Sequence, residues 1–332
     1  MKKNWQGPSC DICGDKKHIK AWLTGVTTWE YKGKFNYVRC GNCGLVFQSP
    51  RPPAGAAIEY YPSDVYWGRD VRRKKKTPGM EEEREKSYGN IYSEIFKRIK
   101  KGRVLDIGSG LGLFLSKFKE KGWVVLGTDI SLDVAKYAKD VFGIKTEVGD
   151  LGELNLPKNY FNVITLISVL EHVYSPRYTL RKLRAFMKND ALLVLLIPNA
   201  DGLGRHLFKK EWIQLSPARH LYLFNPASIK RLLVDEGFEI LKISHKNWEH
   251  NFYSLFQSFR LKFSPKFAKS NAGGLLIGSV EDVRKKSSFS LIKEFAKIFA
   301  FIFASLIAVL EQISNTGDTI AIYAQRAEEE KH

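Results

Sequence analysis

Residues 191–197, Ala-Leu-Leu-Val-Leu-Leu-Ile, are apolar without a break. A strand with one wet face alternates apolar and polar residues, so an unbroken run of this length needs cover on both faces, as in a parallel sheet between helix layers. Phe161-Asn-Val-Ile-Thr-Leu-Ile167 has the same character, and Arg103-Val-Leu-Asp-Ile107 is a shorter version of it. Further strands are expected at Trp123–Thr128, Lys145–Val148, Phe238–Ile243 and Thr319–Tyr323, with helices at Leu113–Lys121 and Pro226–Glu236 among them. Strand and helix in alternation specify an α/β, Rossmann-like sheet of seven strands with helices on both faces. The chain has 332 residues, 44% of them hydrophobic and 27% charged, which is enough for that domain and a smaller companion.

The companion is written in the cysteines. All four fall in two pairs, Cys10-Asp-Ile-Cys13 and Cys40-Gly-Asn-Cys43. Each Cys-x-x-Cys turn lets two thiolates converge on one ion, and two such turns close a tetrahedral shell with no open position, the pattern of a structural Zn²⁺ site. Short strands at Val26–Trp29 and Phe35–Val38 around a turn at Lys32–Lys34 make residues 1–50 a zinc ribbon, too small to fold without its metal. No apolar stretch follows the first lysines, so a secretory signal is not expected and the protein is placed in the cytoplasm, where thiols stay reduced.

Lys and Arg outnumber Asp and Glu by 53 to 35, a net charge of +18, and residues 1–103 hold 22 of the basic residues against 11 acidic ones. A field of that size favours anionic partners, although charge runs such as Arg72–Lys76 and Lys97–Arg103 also suit solvated surface. Residues 51–86 are read as a linker, with aromatics from Ile58 to Trp67 and an exposed charged hinge from Arg69 to Lys86, before a helix at Ser87–Lys100.

The first core strand ends in Asp106-Ile-Gly108-Ser-Gly110-Leu-Gly112, and the second ends at Asp129, about 20 residues past the first glycine, where an acid can take ribose hydroxyls. A dinucleotide fingerprint would put Gly or Ala at the position held by Leu113, so a phosphate-bearing cofactor fits poorly. Asp106-x-Gly108-x-Gly110-x-Gly112 instead resembles the first motif of class I S-adenosylmethionine-dependent methyltransferases. Gly149-Asp150-Leu151 and Ser168-Val-Leu-Glu-His172-Val173 follow in that family's order. The resemblance covers about Lys86 to Lys246 plus the last strand. It implies that Asp106, Gly108, Gly110 and Gly112 surround the methionine part of the cofactor, Asp129 with Ile130 the ribose side, Asp150 with Leu151 the adenine, and Ser168 the methyl end. A ribbon ahead of such a domain, with Trp212 and Pro217-Ala-Arg-His-Leu221, is similar to methyltransferases of surface-glycan and lipid-linked sugar pathways.

For a hydroxyl acceptor, a histidine near pH 7 could remove the proton, which makes His172 and His220 the candidate bases, and Arg219 could hold an acceptor carboxylate or phosphate. The core is expected over 87–249 and its last strand within 314–327, ahead of a tail at 328–332. Between them, 250–313 forms an apolar helical insertion. Its run Phe295–Leu310 reaches ~24 Å as a helix, short of a ~30 Å bilayer core. The insertion is therefore expected to be a lid or a peripheral membrane contact, with packing on the core as the plain alternative. The function this predicts is O-methylation of a glycan or lipid-linked sugar at the cytoplasmic membrane face. RNA methylation through the basic N-terminal third, or quinone or lipid methylation, are the alternatives, and the oligomeric state is left open.

Overall fold

In the computed structural model the described residues are 9–27, 33–53, 78–263 and 291–327. The aromatic segment Ile58–Trp67, the run Arg72–Lys76, residues 264–290 of the insertion and the tail from 328 lie outside them. The N-terminal part contributes strands β1 (Ile19–Val26), β2 (Phe35–Cys40) and β3 (Val46–Gln48). The core begins with helix α1 (Met80–Arg98), then β4 (Arg103–Ile107), α2 (Leu113–Glu120), β5 (Val124–Asp129), α3 (Leu132–Phe142), β6 (Thr146–Val148) and β7 (Phe161–Ile167). It continues through α4 (Pro176–Phe186), β8 (Met187–Pro198), α5 (Leu203–Phe208), β9 (Tyr222–Leu223), α6 (Pro226–Asp235) and β10 (Phe238–Ser244). Two insertion helices, α7 (Trp248–Phe263) and α8 (Leu291–Ser314), precede β11 (Thr319–Arg326).

The main sheet has the order β10-β11-β8-β7-β4-β5-β6. Strands β4 to β8 pair in parallel, and β11 enters antiparallel between β8 and β10. The apolar run that opened the sequence reading lies in β8, and its alternate residues part to two cores. Leu193, Leu195 and Ile197 join Leu180, Leu183 and Leu232 of α4 and α6. Leu192, Val194 and Leu196 join Ile91, Ile95, Phe114 and Phe118 of α1 and α2. Because β4 sits between β5 and β7, chain direction across the sheet reverses there, and a crevice opens beyond the C-terminal ends of these strands.

Two expectations need correction. The helix before β4 starts at Met80 rather than Ser87, so part of the expected hinge is helical. Its charges are not all solvated: Arg84 is only 4% exposed and bonds Ser116 Oγ and Glu120 at 2.7 Å, clamping α1 to α2. Nor is the ribbon's sheet self-contained. A four-stranded sheet runs β1-β2-β3-β9, its last strand supplied by the core through Val46 opposite Leu223 and Phe47 opposite Tyr222.

The insertion helices pack on each other and on the loop after β8. The inner face of α8 is a small-residue stripe, Ala300, Ala304 and Ala308, while Ile298, Ile302, Leu306, Val309 and Ile313 point outward and are exposed. Small residues allow close helix approach, and Phe303 and Ile307 of α8 pack inward beside them while the exposed residues form a separate outer face. Among the described residues no helix is long and apolar enough to cross a membrane.

A buried polar hub fixes this pair to the core. Asp318, just before β11, accepts from Trp212 Nε1 at 2.8 Å and from Ser254 Oγ of α7 at 2.5 Å. A Cβ on Gly204 would stand 2.2 Å from its carboxylate, which is why α5 carries glycine there. Glu311 of α8 is fully buried. Burial and the neighbouring Asp318 push its carboxyl up to about 10. A carboxyl that folding keeps protonated contributes fully at acid pH and loses that contribution as pH climbs from the ordinary carboxyl range toward its raised value. The melting temperature is expected to fall between about pH 5 and about pH 9, and Glu311→Gln, which needs no proton, should flatten the fall. Identical pH profiles for the two proteins in thermal unfolding would refute this.

Candidate active site and cysteine cluster

The crevice is a cavity of about 1820 Å³, larger than the ~300–1,000 Å³ of a single small-ligand pocket, so two molecules fit side by side. The turn after β4 forms one wall. Gly108 has φ +65, and a Cβ there would come within 2.6 Å of Val169. The amide of Gly110 donates to Asp129 Oδ2 at 3.0 Å, and Ser131 N donates to Oδ1 at 3.0 Å, so the Asp129 carboxylate is held at the end of β5. Ile130, Asp150, Leu151 and Ser168 also line the cavity. Ser168 has φ +55, a conformation that costs a non-glycine residue energy and clusters at functional sites.

Asp106 lies deeper, buried at the end of β4 and accepting from Thr165 Oγ1 at 2.5 Å. Burial pushes its carboxyl up to about 7 against the Thr165 bond, with the nearby Asp129 adding to the rise. Gly112 departs from expectation. It caps α2 with φ +81 and faces Ala138 of α3, off the cavity wall. Its conformation and its helix contact account for the glycine.

On the opposite wall the three candidate catalytic residues come together. The rings of His172 and His220 meet edge to face at 4.5 Å. His172 Nδ1 faces Arg219 O at 3.1 Å, and His220 Nδ1 faces Gln214 O at 2.6 Å. Burial pushes His172 down to about 4 and His220 well below its usual range. Both are therefore neutral at pH 7 and weak as proton acceptors, which corrects the expectation of a histidine base tuned near neutrality. Arg219 is buried on the cavity wall, its Nε on Ser216 Oγ at 3.1 Å.

Glu171, beside His172, is a further residue of this wall that its local sequence does not mark. It is fully buried on the cavity wall and neither carboxylate oxygen has a hydrogen-bond partner. His172 Nε2 is 3.9 Å from Oε1, and burial pushes the Glu171 carboxyl up to about 8. Tyr88 of α1 and His250 and Tyr253 of α7 complete the wall. No local pattern marks them, since they reach the cavity only through helix packing.

The four cysteines converge. Cys10 and Cys43 Sγ are 3.4 Å apart, Cys13 and Cys40 Sγ 3.6 Å, and the four sulfurs lie within 4.8 Å of one another. Tetrahedral thiolates at ~2.3 Å from one ion stand close to these separations, so the set fits zinc. The two turns are built alike: Gly14 N donates to Cys10 O at 2.8 Å, and Gly44 N to Cys40 O at 2.9 Å. From this cluster the sheet leads to the cleft. Tyr37 of β2, fully buried, donates to Leu215 O at 2.7 Å and to His220 O at 3.1 Å. Tyr222 donates to Asp11 Oδ2 at 2.8 Å, while Arg51 bonds both Asp11 and Tyr222.

Residues 80–243 match the family described as a methyltransferase domain. That segment is a methyltransferase domain. It is 27% identical to the ubiquinone biosynthesis O-methyltransferase of Haemophilus ducreyi, over 45% of this chain and 73% of that protein. It is 29% identical to the tRNA 5-carboxymethoxyuridine methyltransferase of Escherichia coli, over 42% of this chain and 60% of that one. Among solved structures it is similar to a SAM-dependent methyltransferase from Archaeoglobus fulgidus, with a TM-score of 0.45, 21% identity, and cover of 73% of this chain and 94% of that one.

In this methyltransferase the Tyr37 hydroxyl ties the ribbon to the loop that carries Arg219 and His220. Tyr37→Phe removes one donor from two buried carbonyls and is expected to cost about 1–3 kcal/mol, read by urea unfolding. An unchanged midpoint would show that the tie carries no weight.

Proposed function

We propose that this enzyme methylates a hydroxyl group of a glycan or lipid-linked sugar intermediate presented at a membrane surface. One observation carries the reading: the helix pair whose outer face exposes Ile298, Ile302, Leu306, Val309 and Ile313 also supplies His250, Tyr253 and Lys262 to the cavity wall. An apolar face lying on a bilayer would set the cavity mouth close to a lipid-borne acceptor. The likeness to an O-methyltransferase of ubiquinone biosynthesis supports an oxygen acceptor.

When bound, S-adenosylmethionine supplies a methyl group already activated by its sulfonium. The buried Asp106 carboxylate would hold the cationic methionine portion, and Gly108 and Gly110 would allow close backbone approach. Asp129 with Ile130 would hold the ribose side, Asp150 with Leu151 the adenine, and Ser168 would line the methyl end. Arg219 binds an acidic group of the acceptor. His172 and His220 orient its hydroxyl, and positioning of this kind is worth ~7–11 kcal/mol. A structural Zn²⁺ in the Cys10, Cys13, Cys40 and Cys43 cluster holds the ribbon that positions their loop.

Methyl-labelled cofactor incubated with the protein and whole-cell extract tests the acceptor class. Label is expected in the organic-solvent fraction, and label confined to RNA overturns the reading. Asp106 gives a second test. Only its carboxylate form attracts the cation, so cofactor affinity is expected to rise with pH through about 7, by up to about tenfold per unit. Asp106→Asn should bind more weakly and without this slope in calorimetric titration. A variant with the parent's affinity and slope would remove Asp106 from the site.

A further inference from the structure

We propose that Glu171, His172 and His220 bind a first-row divalent transition-metal ion on the acceptor side of the cavity, apart from the four-cysteine cluster. Their donor atoms all lie within 4.8 Å of one another. The Glu171 carboxylate is fully buried, faces the cavity and has no hydrogen-bond partner on either oxygen. A carboxylate in that position is costly to ionise unless a cation meets it. The two imidazoles are built as ligands are built elsewhere: Nδ1 of each faces a backbone carbonyl, of Arg219 at 3.1 Å and of Gln214 at 2.6 Å. Such outer contacts, to which His172 adds one with the backbone of Ser168, fix the orientation of the rings. Two nitrogens and one carboxylate suit zinc, iron, manganese or cobalt better than magnesium or calcium, which favour all-oxygen shells.

The ligands come from two loops. Glu171 and His172 follow β7, and His220 precedes β9, where Tyr37 holds its carbonyl at 3.1 Å. The cysteine ribbon thereby sets the distance between the halves of the second site. Three protein ligands leave coordination positions open toward the cavity, the mark of a reactive rather than a structural site. An acceptor hydroxyl placed there would lose its proton to water, the O–H electron pair staying on the oxygen, where the ion's charge stabilises it. This use of the ion rests on the hydroxyl-acceptor reading above. Binding of the ion does not.

Equilibrium dialysis against Zn²⁺, with bound metal measured per chain, tests the site without any turnover. The full-length protein is expected to take a second equivalent of zinc beyond the cysteine cluster. Glu171→Gln and His220→Gln should each bind that second equivalent about 10–100-fold more weakly while keeping the first, and S-adenosylmethionine binding by each variant reports that it is folded. A wild-type chain that takes one equivalent only, or a second equivalent held undiminished by whichever variants fold, overturns the proposal. A second equivalent that behaves as expected, in an enzyme that labels no hydroxyl acceptor, would strike the acceptor reading and leave the metal site standing.

Discussion

The cleft wall that carries Arg219 and His220 depends on a short β-pairing, Val46 and Phe47 against Leu223 and Tyr222. Without that joint, β1 to β3 and the cysteine turns would form a small sheet of their own, and the loop from Trp212 to Leu221 would have little regular structure to define it. With it, the cysteine turns, β2 and β3 form a rigid plate whose last strand belongs to the core. Tyr37, Asp11 and Arg51 then add buried polar bonds across the same seam. Such bonds are directional and costly to leave unmade, so they specify the position of His220 and Arg219 where apolar packing alone would permit sliding.

A second constraint acts from the other side. The Asp318 carboxylate gathers Trp212 and Ser254 in the protein interior and forces glycine on α5. It links the loop after β8 to the insertion, and α7 in turn forms part of the cavity wall. The insertion therefore both packs on the core and shapes the cavity. Its inner face satisfies the plain expectation of core packing, and its outer face retains the apolar stripe that packing does not use.

Much of the core was legible, for identifiable reasons. Strands buried on both faces leave unbroken apolar runs, and the glycines after β4 mark turns that other residues would strain; the sheet could be drawn from these before any contact was known. Paired cysteines announced their convergence because a ligand set has fixed spacing. The misreadings share a cause. The charged stretch ahead of Ser87 looked solvated, yet Arg84 is buried because its partners Ser116 and Glu120 lie on another helix. Glu171 was overlooked beside a histidine, since a carboxylate's chemistry depends on what surrounds it and one residue of context does not reveal that. Gly112 was assigned to the cofactor by motif, when the helix it caps and the Ala138 it faces are reason enough for it.

The sequence by itself determined the class of the core, the convergence of four cysteines and the place of the glycine-rich turn, because these follow from periodicity and spacing along the chain. Tertiary structure alone decided that β1 to β3 complete their sheet with a core strand, that two histidines and a glutamate meet on one wall, and that the last insertion helix keeps an exposed apolar face. Those are relations between segments far apart in the chain. Their energies come from burial and from hydrogen bonds to partners that local sequence does not name.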